Sequence, residues 1–391
     1  MRGPWGTLAV TLVLQALVSM AVITVPAMAP AMAQALAVSP ALVGPYVGIV
    51  YGAAMFASLA GGSMVARFGA IRVSQACVVL CAAGLAISAT PSLAATVLGA
   101  VFIGFGYGPM TPASSHLLAK TTPAHRMSLV FSVKQTGVPL GGVLAGAFVP
   151  LLLGWGWQAA LLGVALANLL CALLAQPMRA ALDEDRSASA PLVFGNLARP
   201  LRMVFAHREL RMLAFCSFLF SMAQLSLTAY IVTFLHTSLA YTLVAAGLVL
   251  SVSQFAGVGG RVVWGYISDR WLGARRMLLV LGATMSLACV ATALLQPGAS
   301  PWLVFAIMTV YGMTAIGWNG VYLAEVARQA PPGEAGMATG GSLAITYFGV
   351  VLGPPAFGVV ASLTGSYRAG YAVAAAATAL SVVALTLRRA R

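Results

Sequence analysis

Three charged side chains stand inside otherwise apolar stretches of this sequence: Lys134, Arg261 and Glu325. A charge at membrane depth is costly unless it faces a cavity or a partner, so each is a candidate for chemistry. Arg261 lies two helical turns before Asp269, roughly 10 Å along a helix at 1.5 Å per residue, and Lys134 lies at comparable depth. Two cations facing an aqueous cavity would attract an anion, and the guanidinium fork matches a carboxylate with two prongs. The competing reading is structural: both side chains snorkel to the interface, or Arg261 pairs with charges nearby. Glu325 is read as a candidate proton carrier, the role that burial would give its carboxyl. Gln15, Tyr107, Gln224, Tyr311, Trp318 and Asn319 are mid-run polar or aromatic residues. Each can contact a solute or satisfy a neighbouring helix.

The elements that must position these residues are apolar runs. The chain has 391 residues, 61% of them hydrophobic and 7% charged, where a soluble domain carries about 25% charged residues. Its few charges could not keep such a chain in water. Twelve runs are long enough to cross a bilayer, near 6–28, 43–66, 73–90, 93–117, 127–152, 157–176, 211–235, 243–267, 277–295, 301–326, 336–363 and 369–387. Arg2 and the first run, ending in Ala27-Met28-Ala29 or Ala31-Met32-Ala33, imitate a secretory signal; removing that run would leave eleven spans, so it is read as the first span. Arg67, Arg72, Lys120, Arg126, Arg270, Arg275, Arg276, Arg328, Arg388, Arg389 and Arg391 follow alternate runs, with Arg368 the exception. This places both termini in the cytoplasm. The longest polar stretch, 177–210, is read as a cytoplasmic linker between a six-helix bundle at 1–176 and another at 211–391. Its Asp183-Glu184-Asp185 run reads as a solvated face, and its later part as an amphipathic helix on the membrane surface.

The stretch Gly259 to Arg276 begins in an apolar run and ends in charge. Gly265 and Asp269 share a helix face, so the Gly admits another backbone and the Asp reaches that helix's N-terminal N–H groups. Arg270, Gly273, Arg275 and Arg276 follow. Gly62, Arg67 and Gly69 repeat the pattern about 200 residues earlier, with Ala66 where the Asp would be. This resembles the loop signature of the major facilitator superfamily, and two copies suggest two homologous halves. Gly137, Pro139 and Gly141, with Gly142 and Gly146, resemble the fifth-helix Gly-Pro motif, with Val138 where the residue before the Pro is usually Gly. Gly353 and Pro354 form the matching stretch. The resemblance implies that these helices bend and meet helices of the opposite half. It also implies an all-α membrane protein of twelve spans, a substrate site between the bundles near the midplane, alternating access, and an ion pair of Glu325 with Arg270 or Arg276 that latches the outward-open state. Arg261-Val262-Val263-Trp264-Gly265 is similar to the eighth-helix Arg of the monocarboxylate and oxalate/formate branches, which contacts the substrate carboxylate. Gly257 stands where animal members have an Asp, the first run has no Lys, and the fourth run lacks the Arg common in the family.

Other classes find little footing. The net charge of +14 is scattered in short gaps rather than gathered on one polar face, which argues against nucleic acid. Cys77, Cys81, Cys171, Cys216 and Cys289 fall in apolar runs as small buried side chains. His116, His125, His207 and His236 show no metal spacing, Gly104-x-Gly106-x-Gly108 sits in a membrane run rather than a strand-to-helix turn, and paired carboxylates are absent. No cofactor, metal or catalysis is expected. The reading is a monomeric secondary transporter in a bacterial inner membrane, carrying a small organic anion with protons. The alternatives are proton-driven efflux of hydrophobic or cationic compounds, and a non-transporting membrane sensor.

Overall fold

A computed structural model describes residues 4–121, 133–184, 186–190, 198–331 and 335–386. Arg2, His125, Arg126, Asp185, Arg388, Arg389 and Arg391 lie outside the described residues. Among those described, all regular structure is helical, and twelve helices are long and apolar enough to cross a membrane. They are α1 (Trp5–Ala27), α2 (Pro40–Ser58), α3 (Ala70–Ser88), α4 (Leu93–Leu118), α5 (Val133–Trp155), α6 (Trp157–Met178), α7 (Arg208–Leu239), α8 (Leu243–Leu272), α9 (Ala274–Leu294), α10 (Pro301–Val326), α11 (Gly340–Thr364) and α12 (Tyr367–Thr386). Each matches one of the apolar runs. The short gaps carry the chemistry that starts a helix. Ser92 Oγ accepts from Ala95 N–H at the head of α4 (3.5 Å), and Thr242 Oγ1 accepts from Ala245 N–H at the head of α8 (3.2 Å).

The chain forms two compact units. The first comprises Met1–Val38 and Ile49–Gly195, the second Ser39–Gly48 and Asn196–Arg391. The second unit thus includes the start of α2, where Tyr230 Oη of α7 lies 2.8 Å from the Ala41 carbonyl and 3.1 Å from that of Pro354. Small residues set the packing inside each unit, as close helix approach requires. In the first, Gly137 and Gly141 lie against α1, and Gly84 meets Gly99 between α3 and α4. In the second, Gly257 and Gly260 of α8 lie against α10, and Gly349 and Gly353 lie against α7. The resemblance puts α5 and α11 against helices of the opposite half: Pro354 and Pro355 of α11 do lie against Gly44 and Gly48 of α2, whereas Gly137, Gly141, Gly349 and Gly353 have α1 and α7 as close neighbours. The later linker forms the helix Ala198–Ala206, which packs against the helix Ala335–Thr364 that contains α11.

Three spans are interrupted. α4 breaks between Tyr107 and Met110, at Gly108-Pro109. In α5 the helix stops at Gln135 and restarts at Gly137, one turn before Pro139, whose ring nitrogen cannot donate back to the carbonyl of residue 135. In α10 the break is at Trp318, between Pro301–Gly317 and Asn319–Gln329. Pro354 and Pro355, by contrast, sit inside one continuous helix.

The two signature copies share a backbone. Gly69 has φ 93° and ψ 150°, Gly273 has φ 74° and ψ 154°, and each immediately precedes a membrane helix. That region is open essentially to Gly alone. The first Gly of the motif behaves otherwise than expected: no described atom lies within 4 Å of a Cβ built at Gly62 or Gly265. Neither glycine therefore marks a close backbone approach among the described residues. Gly273→Ala should accordingly cost about 1–3 kcal/mol. Gly265→Ala, in open helical surroundings, should be neutral or stabilise by up to about 1 kcal/mol. Thermal unfolding of the purified protein in detergent would separate the two, and equal midpoints would contradict the backbone argument.

Candidate functional site

Three of the residues read as solute-binding come together in the second unit. The break in α10 at Trp318 turns two neighbouring side chains toward α7. Trp318 Nε1 donates to Gln224 Oε1 at 3.0 Å, and Asn319 Nδ2 donates to the same oxygen at 3.4 Å. Trp318 is fully buried, edge-on to Phe220 (5.5 Å) and beside Tyr322 (5.3 Å). Gln224 and Asn319 are half-buried. Tyr311 stands apart from this cluster: its hydroxyl reaches the Ala223 carbonyl at 3.5 Å and its ring packs near Tyr371.

Arg261 is held by the same break. Its Nε donates to the Ile316 carbonyl at 3.2 Å, while Trp264 Nε1 donates to the Met313 carbonyl at 2.8 Å. Ile316 lies in the last turn of Pro301–Gly317, where helix carbonyls run out of intrahelical donors, and Met313 lies just before it. A cation is also favoured at that negative end. One N–H of Arg261 thus serves the backbone, as its structural reading required.

In the first unit, Lys134 is buried, with 1% of its surface exposed, on the turn of α5 just before the break. Gln15 is buried on α1, donates to Ser19 Oγ at 3.4 Å and lies against Gly137. Tyr107 meets Tyr51 edge-on at 5.5 Å.

The signature residues are arranged differently from expectation. Asp269 is exposed and binds Arg328, Nη2 to Oδ1 3.1 Å, rather than a helix N-terminus. Glu325 pairs with Arg328 at 3.6 Å and accepts from Gln329 Nε2 at 2.9 Å. Its partner is therefore Arg328, one turn along its own helix, and not Arg270 or Arg276. Arg270 is exposed, and Arg67 lies over the ring of Phe68. With Arg328 and Asp269 each more than half exposed, solvent screens this network, and such pairs contribute about 0–1 kcal/mol.

Asp183 corrects the linker reading. Its side chain is buried, not solvated. Its two carboxylate oxygens accept from the backbone N–H groups of Ile71 (2.7 Å) and Arg72 (3.1 Å), the first turn of α3. A Cβ on Gly69 would collide with that carboxylate. The first signature copy, with Ala66 in place of the acid, thus receives its anion from the start of the linker, just after the short helix Arg179–Leu182. Nothing local in the sequence marked this. The usable signal was the helix start after Gly69, which needs an acceptor and lacks one nearby.

Twelve spans and two units with repeated loop backbones define a transporter architecture. Residues 10–340 match the model of the Major Facilitator Superfamily, and the chain belongs to that superfamily. It is a multi-pass membrane protein. The crystal structure of the nucleoside transporter NupG superposes with a TM-score of 0.82, covering 100% of both chains at 17% identity. A protein named transcription regulatory protein OpdE, from Pseudomonas aeruginosa, is 30% identical over 79% of this chain and 74% of its own length. Monocarboxylate transporter 13 from Rattus norvegicus is 26% identical over 65% of this chain and 58% of its own. The gentisate transporter from Corynebacterium glutamicum is 25% identical over 73% of this chain and 64% of its own. The chain therefore spans less than two thirds of the length of these two transporters.

Asp183→Ala should lower stability by about 0.5–2 kcal/mol, the cost of removing a helix cap. Glu184→Ala, at an exposed neighbour, should change it by less than about 0.5 kcal/mol. Thermal unfolding midpoints compare the two; equal effects would mean that the carboxylate at residue 183 does not hold α3.

Proposed function

We propose that this superfamily member moves a small organic anion, monocarboxylate-like, across a bacterial inner membrane by alternating access, in symport with protons and with both termini in the cytoplasm. The observation that carries this reading is the buried side chain of Lys134 within the α5 span, a charge whose retention there calls for a function. Arg261 supports it as a second intramembrane cation with a fork suited to carboxylate. The names of two relatives, a monocarboxylate and a gentisate transporter, point to the same substrate class. In the second unit, Gln224 receives two hydrogen bonds on its oxygen, which leaves its amide nitrogen as a donor for an acceptor-rich solute. Efflux of cations is the weaker reading, because Glu325 is already paired with Arg328.

One relative favours a second reading. OpdE is named a transcription regulatory protein, which keeps open a sensor that binds its solute without moving it. Proteoliposomes loaded with a panel of carboxylates and lipophilic cations, under an imposed pH gradient, distinguish these possibilities. Transport predicts carboxylate uptake that collapses with the gradient. Lys134→Gln and Arg261→Ala should each lower that uptake at least about tenfold, as the loss of one charge-assisted hydrogen bond to substrate implies. Wild-type uptake in both variants would sink the anion assignment. Ligand-induced stabilisation without flux would favour the sensor.

A further inference from the structure

The bond between Trp318 and Gln224 orients more than one side chain. An indole N–H can only donate, so the Gln224 atom that faces Trp318 Nε1 at 3.0 Å is its oxygen. The carboxamide nitrogen of Gln224 therefore points away from Trp318. The same oxygen faces Asn319 at 3.4 Å, so Asn319 presents its nitrogen there and turns its own oxygen elsewhere. One buried indole thus fixes two carboxamides. Among the described residues, neither Gln224 Nε2 nor Asn319 Oδ1 has a hydrogen-bond partner. Both side chains are half-buried within membrane spans. An amide edge left against hydrocarbon is costly, so these two atoms call for a polar occupant.

Their chemistry limits what that occupant is. Gln224 Nε2 needs an acceptor and Asn319 Oδ1 needs a donor. A carboxylate supplies acceptors alone and would turn its negative charge on the Asn319 oxygen. A cation supplies donors alone and leaves Gln224 unserved. A hydroxyl serves both, with one O–H and two lone pairs. The break in α10 already keeps the charged and neutral groups apart: Arg261 stands at Ile316 before Trp318, and Asn319 follows it.

We infer that Gln224 and Asn319 form a hydroxyl subsite, and that the solute is a hydroxylated carboxylate rather than a plain one. On the organic-anion reading above, on which this subsite depends, the cations take the carboxylate. Gln224 Nε2 then donates to the hydroxyl oxygen, and the hydroxyl donates to Asn319 Oδ1. Trp318 is fully buried and acts only through Gln224, as a positioning residue. An analogue without the hydroxyl leaves both amides unpaired, which is how such sites discriminate.

The test uses the purified full-length protein in detergent, with dissociation constants measured by isothermal titration calorimetry. The probes are matched acids that differ by one hydroxyl: 3-hydroxybutyrate with butyrate, and 3-hydroxybenzoate with benzoate. In at least one pair the hydroxylated acid should bind about tenfold more tightly, the change expected from one net hydrogen bond. Gln224→Met and Asn319→Leu should each bring that ratio to within about twofold of unity. Trp318→Phe keeps an aromatic ring but frees the Gln224 carboxamide to turn over. It should lower the same ratio, which a role in packing alone would leave unchanged. Thr228→Val, one turn along α7 at a hydroxyl bonded to Gln254, should keep the wild-type ratio. Equal affinities within both pairs for the wild type would overturn the hydroxyl subsite and leave the anion reading standing; this comparison needs no variant to fold. A full ratio retained in Gln224→Met would overturn the subsite as well. Binding of none of the four acids would overturn both readings.

Discussion

Inside a bilayer, a backbone N–H or C=O has no water to turn to, so each must find a partner within the protein. That requirement produces the twelve helices. It also concentrates the chemistry where helices stop. α10 stops at Trp318 in mid-span, and carbonyls at that break are taken up by Arg261 and Trp264 of α8. The same break presents Trp318 and Asn319 to Gln224. An intramembrane cation, a helix interruption and a polar cluster are thus one structural event. Removing the cation would take this donor from the Ile316 carbonyl.

The fold was legible because its determinants are one-dimensional. Run length sets whether a helix can cross a membrane, and charge between runs sets where it ends. The second Gly of each loop copy was legible too, since its backbone conformation belongs to Gly alone, at Gly69 and Gly273 alike. Much less of the site could be read. Asp183 sits beside Glu184 in a polar stretch, so its neighbours in sequence suggested water, whereas its partner is 112 residues away at Ile71. Glu325 had several arginines within plausible reach, and the choice of Arg328 depends on helix rotation, which composition does not encode. Gly265 looked like a contact because Gly in a helix often is one. In this chain the contact glycines of α8 are Gly257 and Gly260.

The polar cluster in the second unit centres on one half-buried side chain. One amide oxygen on Gln224 satisfies two donors from α10, an indole and an amide. This fixes the carboxamide's orientation, so its nitrogen points where the packing dictates. A donor held in place costs less entropy to use than one that must be ordered when a ligand arrives. On the function proposed above, the bonds that hold the cluster together would also prepare it for binding.

The two halves kept a backbone device and changed the group that serves it. Both begin a membrane helix after a Gly in a conformation other residues avoid, and both create amides in need of an acceptor. In the first unit, the acceptor is Asp183, which ties the start of the linker to the start of α3. That link is covalently part of the unit and cannot leave it. In the second unit, the loop acid Asp269 pairs with Arg328, and Arg275, Arg276, Glu325 and Arg328 border the helix start. The loop copy that best matches the family pattern is therefore the one whose helix start stays open, while the degenerate copy is the one that is closed. Asp183 thus serves a helix start whose loop has Ala66 in the acid's place, whereas Asp269 serves a side chain instead.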